Sequence, residues 1–123
     1  MATLNDRVLD NGLTVLNSEA NRVDICSSEP TTYSAATSST TLGNTTSISI
    51  SAPADASPNG RKVTLSAITG ASVTATGTAT HYAISDTTNS RLLATGALSA
   101  SQAVTSGNTF SLTASDIRIP DPA

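Results

Sequence analysis

Aromatic residues, cysteine, histidine and lysine are nearly absent from this sequence. It has no Trp, two Tyr and one Phe, which leaves few rings on which a sugar or a nucleobase could stack. The single cysteine, Cys26, excludes an intramolecular disulfide and a zinc site built from cysteine pairs. Lys62 is the single lysine and the formal net charge is −3, so no basic surface is expected for phosphate backbones or anionic membranes. We therefore expect neither nucleic acid nor a membrane as the partner.

Long apolar runs are also missing. The start of the chain, Met-Ala-Thr-Leu-Asn-Asp-Arg, lacks the apolar core of a signal peptide, and no stretch approaches the roughly 18 apolar residues of a membrane span. We expect the chain to be made and kept in the cytoplasm unless it leaves inside a larger particle.

The apolar core is predicted to be thin. Leu, Ile, Val and Phe contribute 24 of 123 residues, close to the rough 20% floor below which chains tend to stay disordered. The low net charge and the alternating apolar positions indicate a folded chain of one domain. Small domains with thin cores gain stability when they oligomerise or bind a scaffold, which favours a role inside an assembly.

What the sequence has in abundance is Ser and Thr, which together number 40. Thr favours strands, and both residues satisfy backbone groups in turns. Period-two alternation is clear around Val23 and Ile25, at Val63 and Leu65, and from Thr80 to Ile84,. A hairpin is predicted between 48–50 and 61–68, and a closing hairpin between Val104 and 109–114 across a Ser-Gly-Asn turn.

Seven or eight short strands at regular spacing predict a mainly β fold, a small antiparallel β-sandwich or partial barrel. The apolar residues at the start of the chain are spaced three to five apart, which predicts an amphipathic helix at about 3–18. Asn11-Gly12 is a turn signal against it, so a short helix followed by a strand from Leu13 to Leu16 is the alternative. The fold class therefore includes a short N-terminal helix, and prolines at the other end predict an extended C-terminal tail.

These patterns divide the chain into an N-terminal helical or arm segment (1–20), a β domain (21–116) and an extended tail (117–123). Within the β domain, residues 27–44 contain a proline and have little to bury. We expect them to form a long surface excursion, laid along a neighbour.

Catalytic chemistry has little support. His81 is the single histidine, and if Tyr82 and Ile84 face the core, it faces the other side of its sheet beside Ala79 and Ala83. A small buried thiol is the default for Cys26. The carboxylates are dispersed, and nucleotide, calcium and nucleophile-elbow motifs are missing. We predict no enzyme, no cofactor and no metal site.

Three motifs carry a family resemblance when taken in order. They are the strand Ala79-Thr80-His81-Tyr82-Ala83-Ile84-Ser85-Asp86, the turn Leu92-Leu93-Ala94-Thr95-Gly96 and the hairpin Gly107-Asn108-Thr109-Phe110. With the front segment 21–33, they resemble small virion structural proteins of tailed bacteriophages. The resemblance implies a component of the virion, made in the host cytoplasm, and in particular a capsid decoration (cement) protein present in many copies. It implies no catalytic residue, because that class has none.

The resemblance also implies the partners. They are the major capsid protein or other virion proteins, with a homo-oligomer as the attached form. We expect the chain to bridge adjacent capsid subunits through its N-terminal segment and the 27–44 excursion, with two residues of the tail also at the interface. The interface residues predicted in these segments are Leu4, Val8, Pro30, Tyr33, Leu42, Ile117 and Ile119. The alternative is a tail or fibre module that recognises glycans or proteins of the host surface.

Overall fold

The computed structural model describes residues 3–4, 13–55 and 61–119. The strands in these ranges are β1 (Thr3–Leu4), β2 (Arg22–Cys26), β3 (Thr41–Thr45), β4 (Ala54–Asp55), β5 (Arg61–Leu65), β6 (Ile68–Val73), β7 (Gly77–Asp86), β8 (Arg91–Val104), β9 (Thr109–Leu112) and β10 (Ser115–Ile119). Helix α1 spans Thr14–Glu19, and a π-helix spans Ala35–Ser39. None of the helices in the described ranges is long and apolar enough to cross a membrane.

Seven strands form one antiparallel sheet in the order β1-β8-β7-β2-β3-β6-β9, and β10-β5-β4 form a smaller one. The larger sheet curls into a half-barrel, which confirms the predicted mainly β fold class in its partial-barrel form. The main core lies along the inside of the curl and includes the fully buried side chains of Val23, Ile25 and Ile84. The alternation read from the sequence therefore identified the inward face of β2 correctly.

The N-terminal segment differs from both predictions made for it. Thr3–Leu4 is a strand that pairs with Thr95 and Ala94 of β8, so a helix over 3–18 is wrong at its start. Leu13 to Leu16 is not a strand, because α1 covers Thr14–Glu19 and buries Val15 and Leu16 in the core. The short N-terminal helix is present, but in one part of the predicted range. The free edge of β8 decides the conformation of β1, and local spacing carries no signal of that edge.

The smaller sheet continues the larger one through a bent ribbon. β5 leads to β6 through Ser66 and Ala67, and β9 leads to β10 through 113–114. β6 pairs with β9 and β5 pairs with β10, so Leu65 lies opposite Ser115 on one side of the bend. The predicted closing hairpin is wrong, because β9 pairs with β6 and not with β8. Residues 117–119, predicted to lie in an extended tail, are extended and pair with β5.

The hairpin predicted before this ribbon is confirmed in outline. Ile50 forms an antiparallel bridge with Leu65, and β4 pairs with β5. Val63 and Leu65 share one buried face, as their spacing predicts.

Residues 27–44 do not form a surface excursion. The π-helix packs the fully buried Ala36 against Cys26 on the face of the sheet opposite the main core. The chain then returns as β3, which pairs with β2 along its length. Small side chains and strand hydrogen bonds hold this segment, so it needs few large apolar residues. The scarcity of such residues therefore misled the sequence interpretation.

Strand β8 is long and irregular. Its ladder with β7 moves from Ala79 opposite Gln102 to His81 opposite Ala97, so the four residues 98–101 lie opposite the single residue Thr80. We call 98–101 the β8 bulge. Bulges of this kind bend a strand and change which way its side chains face.

Gly96 lies within β8, where the sequence predicted a turn. A Cβ at this position would stand 2.5 Å from the Tyr82 hydroxyl oxygen and 2.6 Å from ring carbons. Glycine is therefore required here because the Tyr82 ring crosses the backbone of its neighbour strand. Gly70 lies inside β6 with φ +68, where the ladder to β9 shifts register.

Candidate functional site

A buried ionic network occupies the face of the sheet opposite the main core. The Arg22 guanidinium donates to both carboxylate oxygens of Asp24, with Nε–Oδ1 at 2.7 Å and Nη2–Oδ2 at 2.8 Å. The Thr41 hydroxyl donates to Oδ2 at 2.7 Å. The Asp24 side chain is fully buried, whereas that of Arg22 is 21% exposed. Bidentate pairs of this kind are strong and directional. Together with the hydrogen bond from Thr41, this pair links β2 to β3 through the Asp24 carboxylate.

The hydrogen bond to Asp24 also raises the pKa of Arg22, with burial acting in the opposite direction. The guanidinium therefore keeps its charge throughout the pH range in which proteins are handled. Because both carboxylate oxygens of Asp24 already accept hydrogen bonds, we assign the network a structural part.

Cys26 and His81 are direct neighbours across β2 and β7, the pairing that a cysteine nucleophile and its base would need. Burial raises the pKa of the Cys26 thiol to about 11. The thiol Sγ lies 3.9 Å from the Ala36 carbonyl oxygen and is fully buried. A protonated, buried thiol is a poor nucleophile, so the geometry gives this pair no catalytic advantage.

His81 is half-buried, and its Nδ1 lies 2.9 Å from the hydroxyl of Thr80. The expectation that Ala79 and Ala83 flank it on one face holds for Ala83, which packs with Cys26. Ala79 belongs to the main core, because the register shift between residues 79 and 81 reverses the alternation. Among the residues that the structure describes, no three His, Cys, Asp or Glu side chains group as a metal site would require.

A concave surface lies at the open side of the half-barrel, between β8 and the ribbon. It is a groove of about 590 Å³, bounded by the β8 bulge on one side and by the bend of the ribbon on the other. Tyr82 also lines it, and burial raises the pKa of its phenol. The lining residues are apolar, small or hydroxyl-bearing, and none carries a charge: Leu65, Ala67, Ile68, Thr69, Tyr82, Ala97, Leu98, Ser99, Ala100, Gln102, Ser111, Leu112, Thr113, Ala114 and Ser115.

The volume of this groove lies within the range of pockets that hold ligands, and it is open along one side. Its two long walls are edge strands, since β9 pairs only with β6 and β8 pairs with β1 only at Thr95 and Ala94 in the described part of the chain. An extended polypeptide is therefore the kind of partner that its shape and its backbone fit.

The predicted interface residues are spread over several elements. Pro30 is fully buried, and Leu42 and Ile117 are 7% and 8% exposed, so these three side chains pack within this chain and offer a partner little surface. Tyr33 is half-buried just before the π-helix. Leu4 lies in β1 and Ile119 in β10, whereas Val8 lies outside the described residues. The interface at these positions stays a prediction.

Sequence reasoning did not identify the groove. One signal pointed to it: from Leu92 to Ser115 the chain has no Asp, Glu, Lys or Arg. This uncharged run contains most of β8, all of β9 and 10 of the 15 residues that line the groove. Comparison with known proteins adds no relative, since no protein-family model, no curated protein and no solved structure matches the chain.

Proposed function

We propose that this chain is a non-enzymatic structural protein that attaches to a larger protein assembly through the groove of its half-barrel. The observation that carries the proposal is the groove itself, a concave, uncharged surface bounded by strand edges. Strand edges and apolar side chains serve protein partners well, because main-chain hydrogen bonds supply affinity and alternate side chains supply fit. Charged small molecules find no complementary group in the groove.

The chemistry of the buried groups supports a structural part over a catalytic one. Cys26 is held as a protonated thiol, and Asp24 accepts hydrogen bonds on both of its oxygens. His81 has a close contact with its neighbour Thr80 and lies outside the groove lining. Each of these groups therefore contributes to packing or to strand pairing.

The assembly we propose is a tailed-bacteriophage particle, with this chain as a capsid decoration protein that bridges subunits of the major capsid protein. The resemblance of residues 79–86, 92–96 and 107–110 to small phage virion proteins supports this choice. Attachment through the groove changes which segments of the chain would contact the capsid. The 27–44 segment is folded onto the sheet, so the rims of the groove, rather than that segment, supply the contacts.

The test combines mass spectrometry and cryo-EM of purified particles. We expect many symmetric copies on the outer capsid, with the β8 bulge facing the shell. A Leu98→Asp variant places a charge in the groove and should lose particle binding, whereas Ser38→Asp, exposed on the π-helix, should retain it. Absence of the chain from the capsid, or equal binding by both variants, would contradict the proposal.

A second candidate is a tail or fibre module that recognises neutral glycans of the host. Tyr82 favours it, because a tyrosine ring among several hydroxyl-bearing side chains suits an uncharged sugar, which presents both apolar faces and hydroxyl groups,. Glycan arrays and cell-binding assays with the isolated chain separate the two. A decoration protein binds capsids and ignores cells, and a recognition module does the reverse.

A further inference from the structure

The pairing of strand β7 is interrupted at Thr80. The ladder to β2 ends with Cys26 opposite His81, so Ser27 and Thr80 are the first residues beyond it. On its other side, Thr80 lies opposite the β8 bulge, where the ladder to β8 shifts register. A bulge changes which way neighbouring side chains face. The irregularity explains how the hydroxyl of Thr80 and the ring of His81, which would point to opposite faces of a regular strand, come within 2.9 Å of each other.

The side chain of Thr80 supplies a contact where the two ladders leave off. Its hydroxyl donates to the Ser27 carbonyl oxygen at 2.9 Å. The backbone N–H of Ser27 donates in turn to the Thr40 carbonyl oxygen at 2.9 Å, which brings the two ends of the 27–40 segment together. A segment of this length with adjoining ends has the form of an Ω-loop, a class that is often functional. Thr80 therefore fastens the base of the 27–40 segment to β7.

The protons of this cluster can be assigned, because a hydroxyl has only one to donate. A carbonyl oxygen only accepts, so the proton of Thr80 points to Ser27. The 2.9 Å contact between Thr80 Oγ1 and His81 Nδ1 must then be donated by the ring. A neutral imidazole carries one N–H, so the proton lies on Nδ1 and Nε2 is left as a hydrogen-bond acceptor. The relay runs from the ring through the hydroxyl to the carbonyl oxygen.

We propose that His81 is a positioning residue, held as its Nδ1–H tautomer, that anchors the base of the 27–40 segment through the Thr80 hydroxyl. Hydrogen bonds in a chain polarise one another, so the ring strengthens the bond that Thr80 makes to Ser27. The half-buried ring presents Nε2 as its accepting nitrogen. His81 does not line the groove, so the relay holds or fails independently of how the chain attaches to an assembly.

Nitrogen-15 NMR of the histidine ring tests the tautomer. His81 is the single histidine, so the untagged full chain gives one set of ring signals that needs no assignment. At a pH where the ring is neutral, Nδ1 should have the chemical shift of a protonated ring nitrogen and Nε2 that of an unprotonated one. The reverse pattern in the unaltered protein would overturn the proposal.

Variants of Thr80 test the route through its hydroxyl. Thr80→Val keeps the shape of the side chain and removes the hydroxyl, so the ring should shift towards the Nε2–H tautomer that free histidine favours. Thr80→Ser keeps the hydroxyl and should keep the Nδ1–H pattern. Thr78→Val, at an exposed position two residues earlier on β7, is the matched control and should match the unaltered protein. Ring signals that do not change in Thr80→Val would contradict the relay.

Hydrogen exchange tests whether the relay anchors the segment. The Ser27 amide proton should exchange roughly tenfold faster in Thr80→Val, which removes a hydrogen bond. In His81→Phe, which keeps a ring without the N–H donor, it should exchange roughly threefold faster. Because His81 acts through Thr80, the double variant should exchange no faster than Thr80→Val alone. Circular dichroism of each variant checks that the fold is kept.

Two results of the exchange experiment would overturn the positioning role. One is an unchanged Ser27 exchange rate in His81→Phe, and the other is an additive effect in the double variant. Absence of the chain from capsids would refute the proposed function and leave the relay standing, because neither the NMR nor the exchange measurement involves a partner.

Discussion

Replacing Asp24 with Asn should be among the most damaging conservative changes in this protein. The substitution keeps the shape of the side chain and removes its charge. It leaves the Arg22 guanidinium facing an amide that cannot accept both of its donors. Breaking a buried ion pair by removing one partner costs about 3–5 kcal/mol. Because the Arg22 side chain is 21% exposed, water solvates part of the remaining charge. We therefore expect the free energy of unfolding to fall by about 3 kcal/mol.

Urea unfolding followed by far-UV circular dichroism measures this loss. With a urea slope of about 1.5 kcal/mol per molar, typical of a small domain, the midpoint should fall by about 2 M. Asp116→Asn is the matched control, since it removes a carboxylate paired with Lys62 and Thr64 on an exposed strand. Its midpoint should stay unchanged within error. If the two substitutions shift the midpoint equally, the buried network does not have the stabilising part assigned to it.

Three further changes test other parts of the structure. Gly96→Ala should destabilise the protein by about 1–3 kcal/mol in urea unfolding. The effect should largely vanish in a Tyr82→Ala background, because the ring that blocks the new methyl group is gone. Additive losses in the double variant would contradict this prediction. Ser85→Ala should leave stability unchanged or raise it by up to about 1 kcal/mol, because the buried Ser85 hydroxyl has no hydrogen-bond partner among the described residues,. A clear loss in thermal unfolding would refute the reasoning. Cys26 should resist a thiol reagent until the protein unfolds. Burial raises the pKa of the folded Cys26 thiol from its ordinary value of 9.0 to about 11, so its contribution to stability is complete below pH 9 and is lost as pH rises through 11. The urea midpoint should therefore fall less between pH 8 and pH 10.5 in Cys26→Ala than in the unaltered protein. An identical drop in both proteins would count against the prediction.

The sequence predicted strands better than it predicted their partners. Alternation at Val23 and Ile25, and at Val63 and Leu65, identified inward faces that the structure confirms. Alternation does not identify the strand that pairs with the strand of Phe110. The sequence predicts that it pairs with the strand directly before it, whereas β9 pairs with β6, with Phe110 opposite Ala71. Alternation reports the environment of one strand, whereas pairing depends on the curl of the whole sheet.

The groove was hidden for a related reason. It exists because the β8 bulge leaves the ladder and because the ribbon bends near Ser66, and no local sequence pattern encodes either feature. Most of the predicted interface residues are apolar side chains in polar segments. Their sequence context does not distinguish Leu42, which packs into the core, from a surface side chain that is available to a partner. Charge, which is absent from Leu92 to Ser115, was the more informative property.

The bent ribbon has a consequence for the synthesis of the protein. Leu65 of β5 lies opposite Ser115 of β10, so its partner strand is translated much later. At about 5–20 residues per second, β5 and β6 wait roughly 3 to 10 s on the ribosome before β9 and β10 follow. Throughout that interval, the edges of β5 and β6 that β10 and β9 later cover are open to other chains. The half-barrel therefore closes only once β9 and β10 have been made, and a slow-growing nascent chain is the form most exposed to aggregation.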